Sequence, residues 1–475
     1  MLNKKIVVLG AGPAGLTAAW ILSKHGSNVE VIEKEPRVGG MSASFRWKDY
    51  ILDYGPHAYH TNKNKIDEIV RSLCKEDLKI KKRREKMLIR GKYFGYPLQF
   101  WEVVFGLNPF FSIYMVSDFI YTTIRNKLSP MPEESFEDWG IKSFGRTLYD
   151  LCFGKYTNKI WGMPASRLSS KLFTQKIHRL NLKDIIIKLL GGRGTEQLTY
   201  WKDFLYPEEG IGEIFQKMQK DIIRNGGKIN LNSDFVKLNL IDDKADTIIY
   251  KKHGKDFVAK CDYLLSSIPV NKLALSINSY SDSETINSAK NLKFRSLIIV
   301  YLVFNKPQIT DVHWIYLLDG NFRSNRFCEQ KNLGERMCAD GKTILGFEIC
   351  CNKNDELWNS SNERLFELIL EDVDKFDIMD RRDILDYYVT KIDDAYPIYD
   401  LEFDTNLKKL FNRLSKIDHL LSFGRQGLFL NNDIHDSMYM GLLASRFVED
   451  GNRNGKEWYK DIEFYLDSKF KLKDR

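Results

Sequence analysis

Apolar and polar positions along the chain change period repeatedly, and the changes mark out the elements. Lys5-Ile6-Val7-Val8-Leu9 is a short apolar run of strand length, and Leu16 to Lys24 carries the three-to-four-residue period of a helix. Val29 to Ile32 is a second apolar strand. Further on, Glu213 to Asn225 reads as an amphipathic helix, and Ile229 to Leu231, Phe235 to Leu240, Thr247 to Lys251 and Asp256 to Val258 read as short strands joined by polar turns. Leu297 to Phe304 and Thr343 to Cys350 are longer apolar strands, and Ser361 to Lys375 is a helix. From Leu420 the chain repeats the opening order of strand, glycine turn and helix, whereas the stretch 61–195 reads as mainly helical. The pattern predicts an α/β fold in which nucleotide-binding segments are separated by insertions. No internal repeat, low-complexity tract or flexible linker interrupts it.

The first strand and helix enclose Gly10-Ala11-Gly12-Pro13-Ala14-Gly15, which fits G-x-G-x-x-G, and Glu33 ends the second strand. Gly10 suits the tight turn, Gly12 lets the backbone approach a pyrophosphate, and Gly15 lets helix and strand pack closely. The turn leads into a helix whose N-terminus offers unpaired N–H groups and partial positive charge to phosphate, and Glu33 is placed to accept hydrogen bonds from a ribose diol. Lys34-Glu35-Pro36-Arg37-Val38-Gly39-Gly40-Met41 follows at once, with a second glycine pair.

Composition narrows the remaining choices. A chain of 475 residues has room for two or three domains, and its 43% hydrophobic and 13% aromatic content suits apolar pockets. The net charge of +8 fits an anionic small molecule as well as a nucleic acid, but no arginine-rich run or nucleic-acid motif is present, so no nucleic-acid partner is expected. The basic stretch Lys79 to Lys86 reads as a solvated face, with contact to an acidic membrane surface or substrate as the alternative. Seven scattered cysteines and eight histidines show neither C-x-x-C nor H-E-x-x-H spacing. Reduced thiols, a cytoplasmic location and no metal site are the corresponding expectations. Met1 to Leu22 has the outline of a signal peptide, but the glycine fingerprint accounts for that apolar run. Phe100 to Ile124 is rich in aromatic and aliphatic residues, yet Glu102, Asn108, Pro109 and Asp118 break it. It is either a packed helical pair or a monotopic membrane contact.

The residues after Glu33 resemble the second glycine pair of FAD-dependent oxidoreductases. The chain as a whole resembles the superfamily of amine oxidases, protoporphyrinogen oxidase and UDP-galactopyranose mutase. Leu421-Ser422-Phe423-Gly424-Arg425, with Asn432-Asp433-Ile434-His435-Asp436-Ser437-Met438 downstream, is similar to the family's closing FAD motif. Val236 falls where the family holds adenine through strand main chain. Tyr54-Gly55-Pro56-His57-Ala58-Tyr59-His60-Thr61 resembles the mutase's loop beside the flavin ring. The segments ending at Trp161-Gly162-Met163, the R-x-x-E-x-K run from Arg326 to Lys331 and the Ala395-Tyr396-Pro397-Ile398 turn are also mutase-like.

The resemblance implies noncovalent FAD, held by a discontinuous Rossmann-like domain of 1–60, 196–270 and 401–475, with a mainly helical insertion at 61–195 and a mixed α+β substrate domain at 271–400. The implied cofactor residues are Gly10, Gly12, Pro13, Ala14, Gly15, Glu33, Lys34, Gly39, Gly40, Met41, His57, Val236, Gly424, Arg425, Asp433, Ser437 and Met438. The implied catalytic residues are His57, His60 and Arg326, and the substrate-facing ones Trp161, Arg326, Phe429 and Asn431. Each has a simpler alternative: loop histidines, a buried tryptophan anchor, or an Arg326–Glu329 surface pair. Phe429 and Asn431 stand where the mutase places diphosphate-gripping tyrosines, and Ser266-Ser267-Ile268-Pro269-Val270 follows the oxidase branch instead. The first expectation is therefore an oxidoreductase passing hydride between a small-molecule substrate and flavin N5, with NAD(P)H a candidate external reductant. A mutase-like isomerase of a nucleotide sugar and a non-catalytic flavin-binding scaffold are the alternatives. A peripheral membrane contact and a homo-oligomer both stay open.

Overall fold

The computed structural model describes residues 4–96, 98, 100–172, 201–277, 282–451, 454–460 and 462. Strands β1 (Lys5–Leu9) and β2 (Asn28–Ile32) flank helix α1 (Pro13–Lys24). Together with Lys228–Asn230, Tyr263–Ser266 and Leu420–Ser422 the two strands form a five-stranded sheet whose paired neighbours all run parallel. The order is Leu420–Ser422, Tyr263–Ser266, β1, β2, Lys228–Asn230. Three distant parts of the sequence thus build one sheet, and its inner strands Lys5–Leu9 and Tyr263–Ser266 are largely apolar because a parallel strand covered on both faces has no solvent face to leave polar.

Helix α1 is rich in small residues, and this sets how the layer above the sheet packs. Ala14, Gly15, Ala18 and Ala19 are all buried. A Cβ added at Gly441, in the helix Ile434–Glu449, would collide with the Ala14 carbonyl, so the two helices are in backbone contact there. On the amphipathic helix Glu213–Arg224, Asp221 accepts a hydrogen bond from Trp20 Nε1 of α1 at 3.0 Å.

The second sheet has seven strands in the order Ile384–Pro397, Phe294–Phe304, Thr343–Cys351, Arg326–Glu329, Trp314–Leu317, Glu85–Ile89, Lys92–Gly95. Its second strand, Phe294–Phe304, sends Ile298, Val300, Leu302 and Phe304 into one core with the helix Asn362–Val373, and Leu297, Ile299, Tyr301 and Val303 into another with Phe45 and Leu52. This is the period-two alternation of a strand buried on both faces.

Three sequence expectations change. The stretch 61–195 is not only helical: Glu85–Ile89 and Lys92–Gly95 complete the large sheet, and Leu78–Lys82 pairs antiparallel with Asp203–Pro207. The first part of the basic run is thus an edge strand, Leu78–Lys82, in which Ile80 stays 70% exposed beside the lysines. Ile384–Pro397, unassigned in the sequence, is a fourteen-residue outer strand whose charged outward positions hid its period. The strands at Ser233–Ile241 and Lys244–Lys252 outrun their expected ends because Asp242 and Asp243 take positive φ, the two-residue hairpin geometry that pairs strands up to the turn.

Among the described residues, the helices of the insertion include Asn64–Cys74, Phe100–Gly106, Pro109–Leu128, Phe136–Phe144 and a stretch from Arg146 to Trp161 that widens into a π turn at Asp150–Gly154. Ser135 and Asp138 close a reciprocal capping box at the start of Phe136–Phe144. No helix among the described residues is long and apolar enough to cross a membrane.

Replacing Gly441 by valine should cost about 1–3 kcal/mol by forcing α1 and Ile434–Glu449 apart. Urea unfolding of the wild type and the variant measures the difference.

Candidate active site

One continuous cleft of ≈ 1480 Å³ runs between the two sheets and the helical insertion. It exceeds the roughly 300–1,000 Å³ typical of a single small ligand, leaving room for a dinucleotide and a second molecule. Two helix N-termini face into it. Helix α1 starts after Gly12, whose position accepts no side-chain cap, and Pro13 and Ala14 line the cleft. The sixteen-residue helix Ile434–Glu449 also starts without a side-chain cap bond, and Asp433, Ile434, Asp436 and Ser437 line the same space. The N–H groups of two helix starts are thus available to an anionic group in the cleft.

The glycines shape the turn. Gly10 has φ +92 and its Cβ would lie 2.6 Å from Ser267 Oγ, so a side chain there is excluded twice over. A Cβ on Gly12, in contrast, would meet nothing within 4 Å, because that position borders the open cleft. Gly40 sits against Gly12, and the Gly39 N–H donates to the Ala11 carbonyl at 2.8 Å, which lays the second glycine pair on the first. Gly15, Gly39 and Gly424 do not line the cleft; they allow the close packing behind it. Glu33 does line it. Its carboxylate accepts from the N–H groups of Ala11 at 2.6 Å and Glu35 at 2.8 Å, while burial raises its pKa against the pull of those two bonds. Lys34 and Met41 line the rim beside it.

Val236 lies at a bulge: Phe235 opposes Tyr250 and Lys237 opposes Ile249, so Val236 has no partner across the ladder and borders the cleft. Its main chain is placed to meet a planar ring edge, the role a strand segment needs in order to hold adenine.

At the large sheet, His57, Trp161 and Arg326 come together. Arg326 and Glu348 are direct cross-strand neighbours, and Arg326 Nε donates to Glu348 Oε1 at 2.7 Å with the carboxylate fully buried. The Arg326–Glu329 alternative is therefore corrected. Glu329 is spent on the N–H groups of Ile309 and Thr310 and on the Thr343 hydroxyl. His57 Nε2 is 3.1 Å from the Tyr54 carbonyl, and burial together with the Arg326 charge holds its pKa down to about 4. The imidazole is neutral at physiological pH. Trp161 is 4% exposed and lines the cleft, and its Nε1 is buried with no hydrogen-bond partner. Tyr396 packs edge-on to it at 6.3 Å. The π turn brings Cys152 and Phe153 to the same wall as Phe144, Leu148 and Tyr156.

His60 stands on another part of the cleft wall, with Trp201, Asp433 and His435 as neighbours. Ligand atoms of His60, Asp433 and His435 all lie within 4.8 Å of one another. Sequence spacing suggested no such group because the residues come from opposite ends of the chain. Burial holds the His60 pKa down to about 4 against the opposing pull of Asp433.

Besides Gly15, Gly39 and Gly424, the predicted Phe429 and Met438 fall outside the cleft. Phe429 is fully buried, its ring packed on Phe294, Tyr399 and Phe403, so it cannot touch a substrate. Met438 is also fully buried, on the inner side of its helix. Asn431 does reach the cleft, but its Oδ1 accepts from Arg425 at 2.8 Å and its N–H donates to the Tyr399 hydroxyl at 3.0 Å. Arg425 also donates to the Asn432 carbonyl at 2.6 Å, and so fixes the turn into the last helix. Sequence reading missed Glu348, Arg83, Tyr96 and Gln426, all of which border the cleft or hold a residue that does. Of these only Arg83 carried a signal, as part of the basic run.

Uncapped helix termini at a glycine turn, an open Gly12, an acid at the end of β2 and an unpaired Val236 fit an adenine dinucleotide. Trp161 and Arg326 border the room left for a second ligand beside it. The fold and site are those of a dinucleotide-binding flavoprotein.

Comparison with known proteins agrees. Residues 13–397 match the family described as flavin containing amine oxidoreductase, and the chain belongs to that family. It is 29% identical over 189 residues to a probable UDP-galactopyranose mutase of Klebsiella pneumoniae, covering 39% of this chain and 48% of that one. The chain thus aligns with about half the length of that relative. It is 39% identical over 77 residues to an L-amino-acid oxidase of Crotalus adamanteus, 16% of this chain and 14% of that one. In fold it is similar to reduced UDP-galactopyranose mutase, with a TM-score of 0.81 at 20% identity, covering 94% of this chain and 96% of the other. It is also similar to a putative protoporphyrinogen oxidase from Exiguobacterium, with a TM-score of 0.71 at 16% identity over 95% and 100% of the two chains. The protein is an FAD-dependent enzyme with the fold these flavoproteins share.

A Gly12→Val substitution should leave thermal stability within about 1 kcal/mol, since its side chain enters open space, yet lower bound flavin about tenfold or more. Flavin absorbance per protein and a melt read the two effects separately. The His57 ring should show no protonation step between pH 5.5 and 8 by NMR, its folded pKa of about 4 lying below the ordinary 6.5. Through this group stability is lost as pH falls from 6.5 toward 4, because the unfolded chain binds the proton first.

Proposed function

We propose that the protein is an oxidoreductase that removes or delivers a hydride at a C–H carbon of a small-molecule substrate with an anionic or hydroxyl-rich head and an apolar body. The observation that carries this reading is the make-up of the cleft lining. It sets Arg326, fixed by Glu348, among Trp161, Met87, Tyr96, Phe144, Leu148 and Phe153. When bound, the flavin supplies the two-electron acceptor or donor. Arg326, held by a buried carboxylate, keeps a cation in one orientation where negative charge develops or an anionic group binds. Neutral His57 offers a hydrogen bond without adding charge. The apolar wall excludes water from the reacting carbon.

A nucleotide-sugar isomerase is the second reading. It is favoured by the TM-score of 0.81 to UDP-galactopyranose mutase and opposed by the inward Phe429, which leaves no phenol there for a diphosphate. Incubation with dithionite and UDP-galactopyranose separates the two: furanose product supports the isomerase, and none at saturating substrate supports the oxidoreductase. Anaerobic mixing with NADPH, taken here as the external reductant, followed by a substrate panel identifies the electron path. A flavin that neither reductant nor substrate bleaches would point to the scaffold alternative. We place the enzyme in the cytoplasm, in keeping with seven cysteines that form no disulfide.

Removing Arg326 alone would strand a buried Glu348, so the informative variant is Arg326→Gln with Glu348→Gln. It should keep FAD and fold while turnover falls about 10²–10³-fold. Unchanged kinetics would take Arg326 out of the reaction.

A further inference from the structure

The helix Pro109–Leu128 has two apolar faces, and only one is used. Ser112, Met115, Phe119 and Thr122 are buried against the insertion. On the opposite side Phe110, Ile113, Tyr114, Tyr121, Ile124 and Leu128 are each more than half exposed, and Phe105 of the preceding helix is 80% exposed. The spacing of three, four and seven residues places them in one stripe on a helix about 30 Å long. Exposed apolar patches of this continuity mark a contact surface. The helix needs no partner to form: Asn108 Oδ1 accepts from the Phe110 N–H at 3.0 Å and Pro109 occupies the first turn.

Charge decides what covers the stripe. From Arg90 to Leu128 the cations are Arg90, Lys92, Arg125 and Lys127, and the acids are Glu102 and Asp118. Both acids are turned onto backbone, Glu102 accepting from the Gly95 N–H at 3.0 Å and Asp118 from the Thr147 N–H at 2.7 Å. Arg90 lies over the Phe111 ring at 4.1 Å, and Lys92 donates to the Gly106 carbonyl at 2.8 Å, so both sit at the start of the helix. Arg125 and Lys127 are in its last turn. The apolar row is bracketed at both ends by cations and carries tyrosines, which favour the boundary between headgroups and acyl chains. A second copy of the chain fits less well. A stable protein interface takes about 20–30 residues a side, and this is a single row.

We propose that Pro109–Leu128 is an in-plane anchor that docks the enzyme on an anionic lipid surface, with the stripe at headgroup depth and Arg90, Lys92, Arg125 and Lys127 against lipid phosphates. The proposal holds whichever reaction the cleft performs.

The test is co-sedimentation of the flavin-loaded full chain with phosphatidylcholine vesicles that contain or lack about 30% phosphatidylglycerol. Binding should require the anionic lipid and weaken with salt. Phe110→Ser with Ile113→Ser and Tyr121→Ser should lower it about tenfold without changing bound flavin or the melt. Arg125→Gln with Lys127→Gln should remove the preference for phosphatidylglycerol. Failure of the wild type to bind either vesicle at low salt would overturn the proposal, as would binding unaffected by the triple serine variant. Light scattering without lipid gives the remaining outcome: a dimer that the same serine substitutions dissolve would assign the stripe to a second copy and overturn membrane docking.

Discussion

Backbone contact between α1 and the helix Ile434–Glu449 is the constraint on which the site depends. Each helix terminus carries a partial charge of about +0.5, worth little alone, and two termini that open on one cleft offer a diphosphate more than either does. Helices normally pack 8–10 Å apart, set by the side chains between them. The small residues of α1 and the missing side chain at Gly441 remove that spacer. Sequence-distant segments must therefore be joined through the five-stranded sheet before any cofactor site exists, because Leu420–Ser422 delivers the second helix and β1 the first.

The reacting end obeys a different rule. There the polar groups are few, buried and held by the large sheet. The Arg326–Glu348 pair is fixed by strand register, so a one-residue slip would turn both side chains to the other face. Burial beside this cation keeps His57 neutral, which leaves the guanidinium as the fixed charge next to it. The helical insertion contributes an apolar wall through a π turn, a local widening that changes which side chains face inward. One family fold can in this way carry different chemistries: the cofactor end rests on backbone, and the substrate end on side chains.

The sequence disclosed what depends on local chemistry. The turn at Gly10 and Gly12 and the placing of Glu33 at the end of β2 were readable because that spacing sets a strand-turn-helix-strand unit, and β1 was readable as an apolar run. Long-range pairings were not. Glu348 is a partner of Arg326 only through antiparallel register, and His60 meets His435 only after the last helix docks. Phe429 sat at a family position for substrate contact, yet its backbone takes φ +55 and turns the ring into the core. Leu78–Lys82 hid as a charged run because an edge strand can alternate lysine with aliphatic residues.

An anaerobic crystal structure of the flavin-loaded protein would test the central claim most directly. The account predicts the diphosphate within hydrogen-bond reach of the N–H groups around Gly12 to Ala14 and beside the start of the helix at Ile434, the ribose on Glu33, and the adenine edge against Val236. A cofactor bound elsewhere, or a diphosphate that touches neither helix terminus, would contradict it.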